Sequence, residues 1–222
     1  MTNYVAIVTV LFSVLLQCSV VAQSQNFVPL QFEYPDSILA TSKTYVYKNG
    51  TSGALRYKDI VLKKKENDII INWKQYDESH LADSSTEMNG KNYDHYMIVN
   101  HQSFKAIITE DSVYQNGTRY GEKVQTQFFN LSSTISLFET VHSTFLKDTT
   151  VTWQGRIIPC LVIQSFYRQK LANSLFPDKS KEITGVVYHY FGKNVGLLMY
   201  RTELDNEKQT WQLIDIRERK VK

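Results

Sequence analysis

The stretch VVYHYFGKNVGLLMYRTELDNEKQTWQLIDI, Val186 to Ile216, decides the fold because its apolar side chains point both ways. In VVYHYF, Val186, Tyr188 and Tyr190 share one face, Val187, His189 and Phe191 the other, and both sets are largely apolar. GKNVG turns the chain, LLMYRTEL runs back, DNEK turns it again, and TWQLIDI closes with Trp211 and Leu213 opposed to Ile214 and Ile216. Three strands are expected here. A single helix covers only one face of a sheet, so the second face is covered by the sheet curling on itself, by a partner or by a ligand.

Upstream the same pattern repeats. KTYVYK, ALRYKDIVLKKK, IIINWKQY, YDHYMIV, FKAIITE and VQTQFF are β-favouring runs separated by turn signals such as NGTSG, END and NGKN. The spacings are too short for crossover helices, which predicts an antiparallel meander. In IIINWKQY, Ile69, Ile71 and Trp73 lie on one face and Asn72 and Lys74 on the other, the alternation of a half-buried strand. One stretch reads as helix: SSTISLFETVHSTFL, Ser132 to Leu146, where Ile135, Phe138, Val141 and Phe145 recur at spacings of three, three and four. Ser132 or Ser133 would cap it. TVTWQG and RIIPCLVIQSFY follow as strands, then a loop from Arg168 to Glu182 in which KLANSLF suggests a short helical turn. The expected fold is mainly β (α+β): a single domain, a curved antiparallel meander forming a half-barrel or open barrel, with one main helix packed against it.

The chain opens MTNYVAIVTVLFSVLLQCSVVAQSQNF, with an apolar run from Val5 to Leu16 and then Val20, Val21 and Ala22. That pattern predicts a secretory signal peptide at residues 1–22, cut between Ala22 and Gln23. The run is broken by Thr9 and Ser13 and is shorter than the roughly 20 residues a spanning helix needs. Lipidation at Cys18 is the second reading of LLQC, with Gln17 standing where a small residue is required. The expected organisation is a leader (1–22), a polar lead-in (23–42), one β-rich domain (43–218) and a basic tail (219–222).

Of 222 residues, 42% are hydrophobic and 14 are Tyr, the composition of a globular chain rather than a disordered one. A formal charge of +3 is too mild to imply nucleic acid, and LKKKEN and IRERKVK read as a solvated turn and a tail. Cleavage leaves Cys160 without a second cysteine, so no intramolecular disulfide is available. A disulfide-free exported domain fits the periplasm or exterior of a bacterial envelope. The sequons at Asn49, Asn116 and Asn130 stand against this and are consistent with a eukaryotic secreted glycoprotein, but two of them are NGT tripeptides suited to tight turns, and the bacterial envelope is favoured.

The succession from Thr134 to Ile216, with YFGKNVGLLMY as its specific part, resembles the C-terminal half of uncharacterised Gram-negative envelope proteins related to the lipoprotein-carrier (LolA-like) half-barrels. The resemblance implies an antiparallel sheet curled around a helix and sometimes around an acyl chain. It implies architecture more than activity.

No nucleophile elbow, phosphate-binding glycine loop, H-E-x-x-H or paired-cysteine signature is present. Cys160 lies in the apolar IIPCLVIQ, where a cysteine packs as a small hydrophobe. His80, His95, His101, His142 and His189 are scattered, and a His142, His189 and Glu139 metal site lacks local ligand spacing. Asp68, Asp77, Asp94, Glu110 and Asp111 read as solvated strand ends. No catalytic residue, metal or cofactor is therefore assigned.

The aromatic set Trp73, Tyr188, Tyr190, Tyr200 and Trp211 is either packed core or the lining of a ligand groove. The expected function is a non-catalytic exported envelope protein binding an apolar or amphipathic ligand such as a lipid, or an envelope protein partner, in a curved sheet. No nucleic acid and no membrane span after cleavage are expected. The alternatives are an extracytoplasmic enzyme with a composite site, using Cys160 or carboxylate and histidine, and a structural or assembly module.

Overall fold

Twelve strands follow one another along the chain: β1 (Lys43–Asn49), β2 (Leu55–Lys65), β3 (Asp68–Asp77), β4 (His80–Met88), β5 (Lys91–Val99), β6 (Gln102–Tyr114), β7 (Glu122–Asn130), β8 (Ile135–Trp153), β9 (Arg156–Asn173), β10 (Lys181–Gly192), β11 (Gly196–Leu204) and β12 (Glu207–Glu218). The computed structural model describes residues 27–33, 42–65, 68–77, 80–88, 91–99, 102–117, 119–204 and 207–218. The leader with its cleavage point at Ala22 and Gln23, Cys18, most of the lead-in, His101 and the tail at 219–222 lie outside the described residues.

Each strand pairs antiparallel with its neighbour in sequence, as the short spacings predict. The half-barrel or open barrel is corrected, because β12 returns to β1 in register from Lys43↔Glu218 to Asn49↔Trp211 and closes the barrel. Curling of the sheet on itself covers the inner face of the C-terminal strands, and the outer face, where Ile214 is exposed, stays towards solvent. Closure also removes the unpaired edges that an open sheet would expose.

The main helix is likewise corrected. Residues 135–146 belong to β8, bonded to β7 from Ser136 to Thr144 and to β9 from Ile135 to Trp153. Leu137, Glu139, Val141 and Ser143 line the interior, while Phe138 and Leu146 are exposed outside. Polar groups inside and apolar groups outside broke the alternation that marks a half-buried strand, and the apolar remainder fell at helix-like spacings. β-branched Ile135, Thr140, Val141, Thr144 and the run Thr149 to Thr152 favour the extended form. The expected turn in KLANSLF is also displaced: β9 runs to Asn173, and a 3-10 turn follows at Pro177–Lys179. Among the described residues the α-helical content is α1 (Leu30–Glu33).

One mouth of the barrel, called lower here, carries the β8–β9 and β10–β11 turns, and apolar side chains pack across it. The long β8–β9 hairpin turns through Gln154 and Gly155, both at positive φ (49° and 75°), the pair required by a two-residue primed turn. A bulge between Phe145 and Lys147 bends the hairpin, and its end reaches across to β12, where the Trp153 indole donates to the Leu213 carbonyl at 2.9 Å. Cys160, Val151 and Ile158 on this hairpin pack with Tyr45, Ile60, Leu62, Ile71, Leu198 and Leu213 in one apolar cluster. Phe27 and Val28 pack against Ile163, with Phe145 and Phe191 around them. A backbone bond from Asn194 N–H to the Gln31 carbonyl, 2.6 Å, fastens this segment to the β10–β11 turn.

Candidate functional site

Above that apolar floor the barrel encloses a cavity of about 480 Å³, within the roughly 300–1,000 Å³ usual for small-molecule sites. Val28, Ile163, Phe191 and Leu197 contribute to the floor, and the wall above sets polar side chains among apolar ones such as Phe129, Leu137 and Val141. Alternation along each strand turns Asp83, His95, Gln127, Glu139 and Gln169 to the same interior. These five side chains form a continuous hydrogen-bonded belt across β4, β5, β7, β8 and β9. Asp83 Oδ1 lies 2.8 Å from His95 Nε2, and His95 Nδ1 lies 2.9 Å from Gln127 Oε1. Gln127 Nε2 donates to Glu139 Oε1 at 2.7 Å, and Gln169 Nε2 donates to Glu139 Oε2 at 2.5 Å. β6 stands between β5 and β7 but turns the small Ala106 inward opposite Phe129, which leaves His95 room to reach Gln127.

The belt favours the protonated form of His95. Gln127 spends its amide N–H on Glu139, so its carbonyl faces the imidazole, and both ring nitrogens of His95 meet acceptors. Burial is the largest single influence and lowers the His95 pKa, but the bonds to Asp83 and Gln127 and the charges of Asp83 and Glu139 together raise it above the ordinary value. His189, across the cavity, goes the other way. Burial, helped by the charge of Lys58, pushes it down to about 4. Lys58 itself lies 4.3 Å over the ring of Trp73, whose indole N–H donates to Glu87 at 2.8 Å.

The structure distributes the five aromatic residues singled out in the sequence rather than gathering them. Trp73 lines the cavity. Tyr200 and Trp211 stack together at the upper end, 6.1 Å apart and 10° from parallel. Arg56 lies 4.2 Å over Trp211, donates to the Tyr200 hydroxyl at 2.7 Å and pairs with Asp77. Tyr188 sits on the outer face, accepting from Gln164 at 3.3 Å beneath the Arg201 guanidinium, and Tyr190 shares that face because His189 and Phe191 point inward.

Cys160 is 1% exposed and burial pushes its thiol up to about 11. Glu139 faces the cavity, whereas His142 bonds Glu122 at 2.8 Å outside, so β8 separates two members of the metal trio considered from the sequence. Among the described residues no group of three or more His, Cys, Asp or Glu side chains is placed to hold a metal ion. Of the sequon residues, Asn49 is buried with its carbonyl capping the Thr51 and Ser52 N–H groups, while Asn116 and Asn130 are exposed. Of the residues that make the cavity polar, His95 and Glu139 were weighed from the sequence only as metal ligands, and Asp83, Gln127 and Gln169 were not singled out. Their signal was a period-two polar pattern, Gln125 and Gln127 in β7 and Glu139 and Ser143 in β8, hidden by the assumption that the inside of a sheet is apolar.

Two solved structures share this architecture. One is a candidate lipoprotein from Parabacteroides distasonis, 14% identical, with 84% of this chain and 98% of that one aligned at a TM-score of 0.54. The other is a candidate exported protein with a YmcC-like fold from Bacteroides fragilis, 10% identical, with 84% and 99% aligned at 0.52. The barrel is similar to the YmcC-like fold. At these identities the YmcC-like comparison speaks to architecture alone, and it agrees with a barrel-like chain rather than with a carrier half-barrel in particular. No protein-family model and no curated protein matches the chain.

Proposed function

We propose that this chain is an exported, non-catalytic protein of a bacterial envelope that encloses a small amphipathic ligand inside its barrel. The observation that carries the reading is the cavity, a space of ligand size with a rigid polar belt on one wall and aromatic rings beside it. An acyl chain would leave the belt without partners for its remaining lone pairs, so the ligand must bring polar groups of its own. The leader-like N-terminus and the export-related descriptions of both structural neighbours support the location.

A second reading has one observation in its favour. Ile107, Phe128 and Phe138 form an apolar row across the outer faces of β6, β7 and β8, with the two phenylalanine rings stacked 5.7 Å apart, and such a row suits an envelope partner. Native mass spectrometry of the chain purified gently from an exporting host, followed by organic extraction, separates the two. A stoichiometric small molecule is expected. A clean chain that co-purifies only with protein would favour the outer row.

A further inference from the structure

The carboxylate of Glu139 stands apart from the other charges on the cavity wall. Asp83 is matched by His95, Asp111 by Lys123 at 3.3 Å, and Glu87 takes the Trp73 indole N–H beside the Lys58 ammonium. Glu139 receives two glutamine amides, and among the described residues no Lys, Arg or His lies within ion-pair distance of it. Neutral amides compensate a carboxylate withdrawn from bulk water only in part, and a cation completes the compensation.

The surroundings of Glu139 specify more than charge. Gln127, Glu139 and Gln169 are directly paired across β7, β8 and β9 and so lie at one level. The adjacent inward level on one side holds Phe129 and Leu137, and on the other Val141 and Tyr167 with Gln125 beside them on β7. The carboxylate thus has apolar side chains above and below it on β8 and β9, with one amide on each oxygen and a lone pair left on each. Burial pushes the Tyr167 phenol up, and the negative charges of Glu139 and Asp83 push it further.

We propose that the cavity binds a small organic cation, a protonated amine on an apolar body, with the ammonium on Glu139 and the body against Phe129, Leu137, Val141 and Tyr167. The inference rests on the ligand-enclosing reading above and names the chemistry of its ligand. The ammonium donates to the free lone pairs of Glu139, and the rings of Phe129 and Tyr167 add the attraction of aromatic faces for a desolvated cation. Asp83 does not compete for the amine, because His95 already occupies it.

The test uses the whole chain and three probes of similar size: phenethylamine, phenethyl alcohol and 3-phenylpropionate. Calorimetric titration at pH 7 is expected to give phenethylamine at least a tenfold advantage over the alcohol, and weaker binding still for the carboxylate. Glu139→Gln should abolish the advantage, Glu139→Asp should keep it at reduced affinity, and Glu182→Gln on the outer surface should leave it unchanged, with near-ultraviolet circular dichroism confirming native packing in each variant. Equal or tighter binding of the alcohol or carboxylate, or an amine preference that survives in folded Glu139→Gln, overturns the proposal while leaving a ligand-binding barrel. If no probe binds, the organic extract decides: an amine supports the proposal, a neutral or anionic compound overturns it, and no compound at all overturns the ligand reading with it.

Discussion

The lower and upper halves of the barrel are made of the same strands but by opposite chemistry. Below, Tyr45, Ile71, Leu198 and Leu213 are almost fully buried, and the hairpin end and residues 27–33 pack apolar side chains across the mouth. Above, the same inward positions carry Lys58, Asp83, His95, Gln127 and Glu139 around a cavity. The apolar half gains stability from excluded water. The polar half holds groups that stay satisfied only through one another, so its value lies in what it can receive.

The contrast predicts a graded response to substitution. Ile71→Ala in the packed half should cost about 4 kcal/mol in urea unfolding, since it opens a cavity where neighbours cannot collapse. A loss near 1 kcal/mol there would mean the lower half is as loose as the upper. The next effect is a pH dependence from His189. Its folded pKa is depressed, so its contribution is fully present above the unfolded value near 6.5 and is lost as pH falls toward 4, up to about 3 kcal/mol. His189→Phe should flatten that acid limb. His95 acts with the opposite sign: its contribution is present below about 6.5 and disappears as pH rises through its raised folded value, so His95→Gln should remove a loss on the alkaline side.

Smaller effects sharpen the boundary between the halves. Trp153→Phe keeps the ring but leaves the Leu213 carbonyl without its indole donor, and should cost about 1.5 kcal/mol with faster hydrogen exchange at the hairpin end. Gln127→Ala, in the belt, should cost only about 1 kcal/mol because water can enter the cavity and replace it. Its clearer signature would be a drop in the His95 pKa followed by NMR, and an unmoved His95 would show that the belt is not coupled.

Much of the architecture was legible in the sequence. Turn signals at short intervals gave the antiparallel meander, and the apolar strands at Val186 to Ile216 marked an inner face that needed cover, though not an outer one, since Ile214 is exposed. Two things were not. Closure depends on β1 meeting β12, a non-local pairing with no local signature. The nature of β8 was masked because Glu139 and Ser143 face inward while Phe138 faces out, which scrambles the pattern that distinguishes strand from helix. The same inversion concealed the candidate site. Aromatic residues drew attention as ligand-lining groups, yet Tyr200 and Trp211 are engaged with Arg56 and the polar belt lies elsewhere.

The seam between β1 and β12 also sets a clock. Lys43 and Glu218, joined across it, are 175 residues apart in the chain, so the first strand to be synthesised waits for the last before the cylinder can form. Until those two strands pair, a gap is left between them and no cylinder encloses the belt. Any compound held in the finished cavity can enter through that gap without crossing either mouth, and final pairing of the two strands then encloses it.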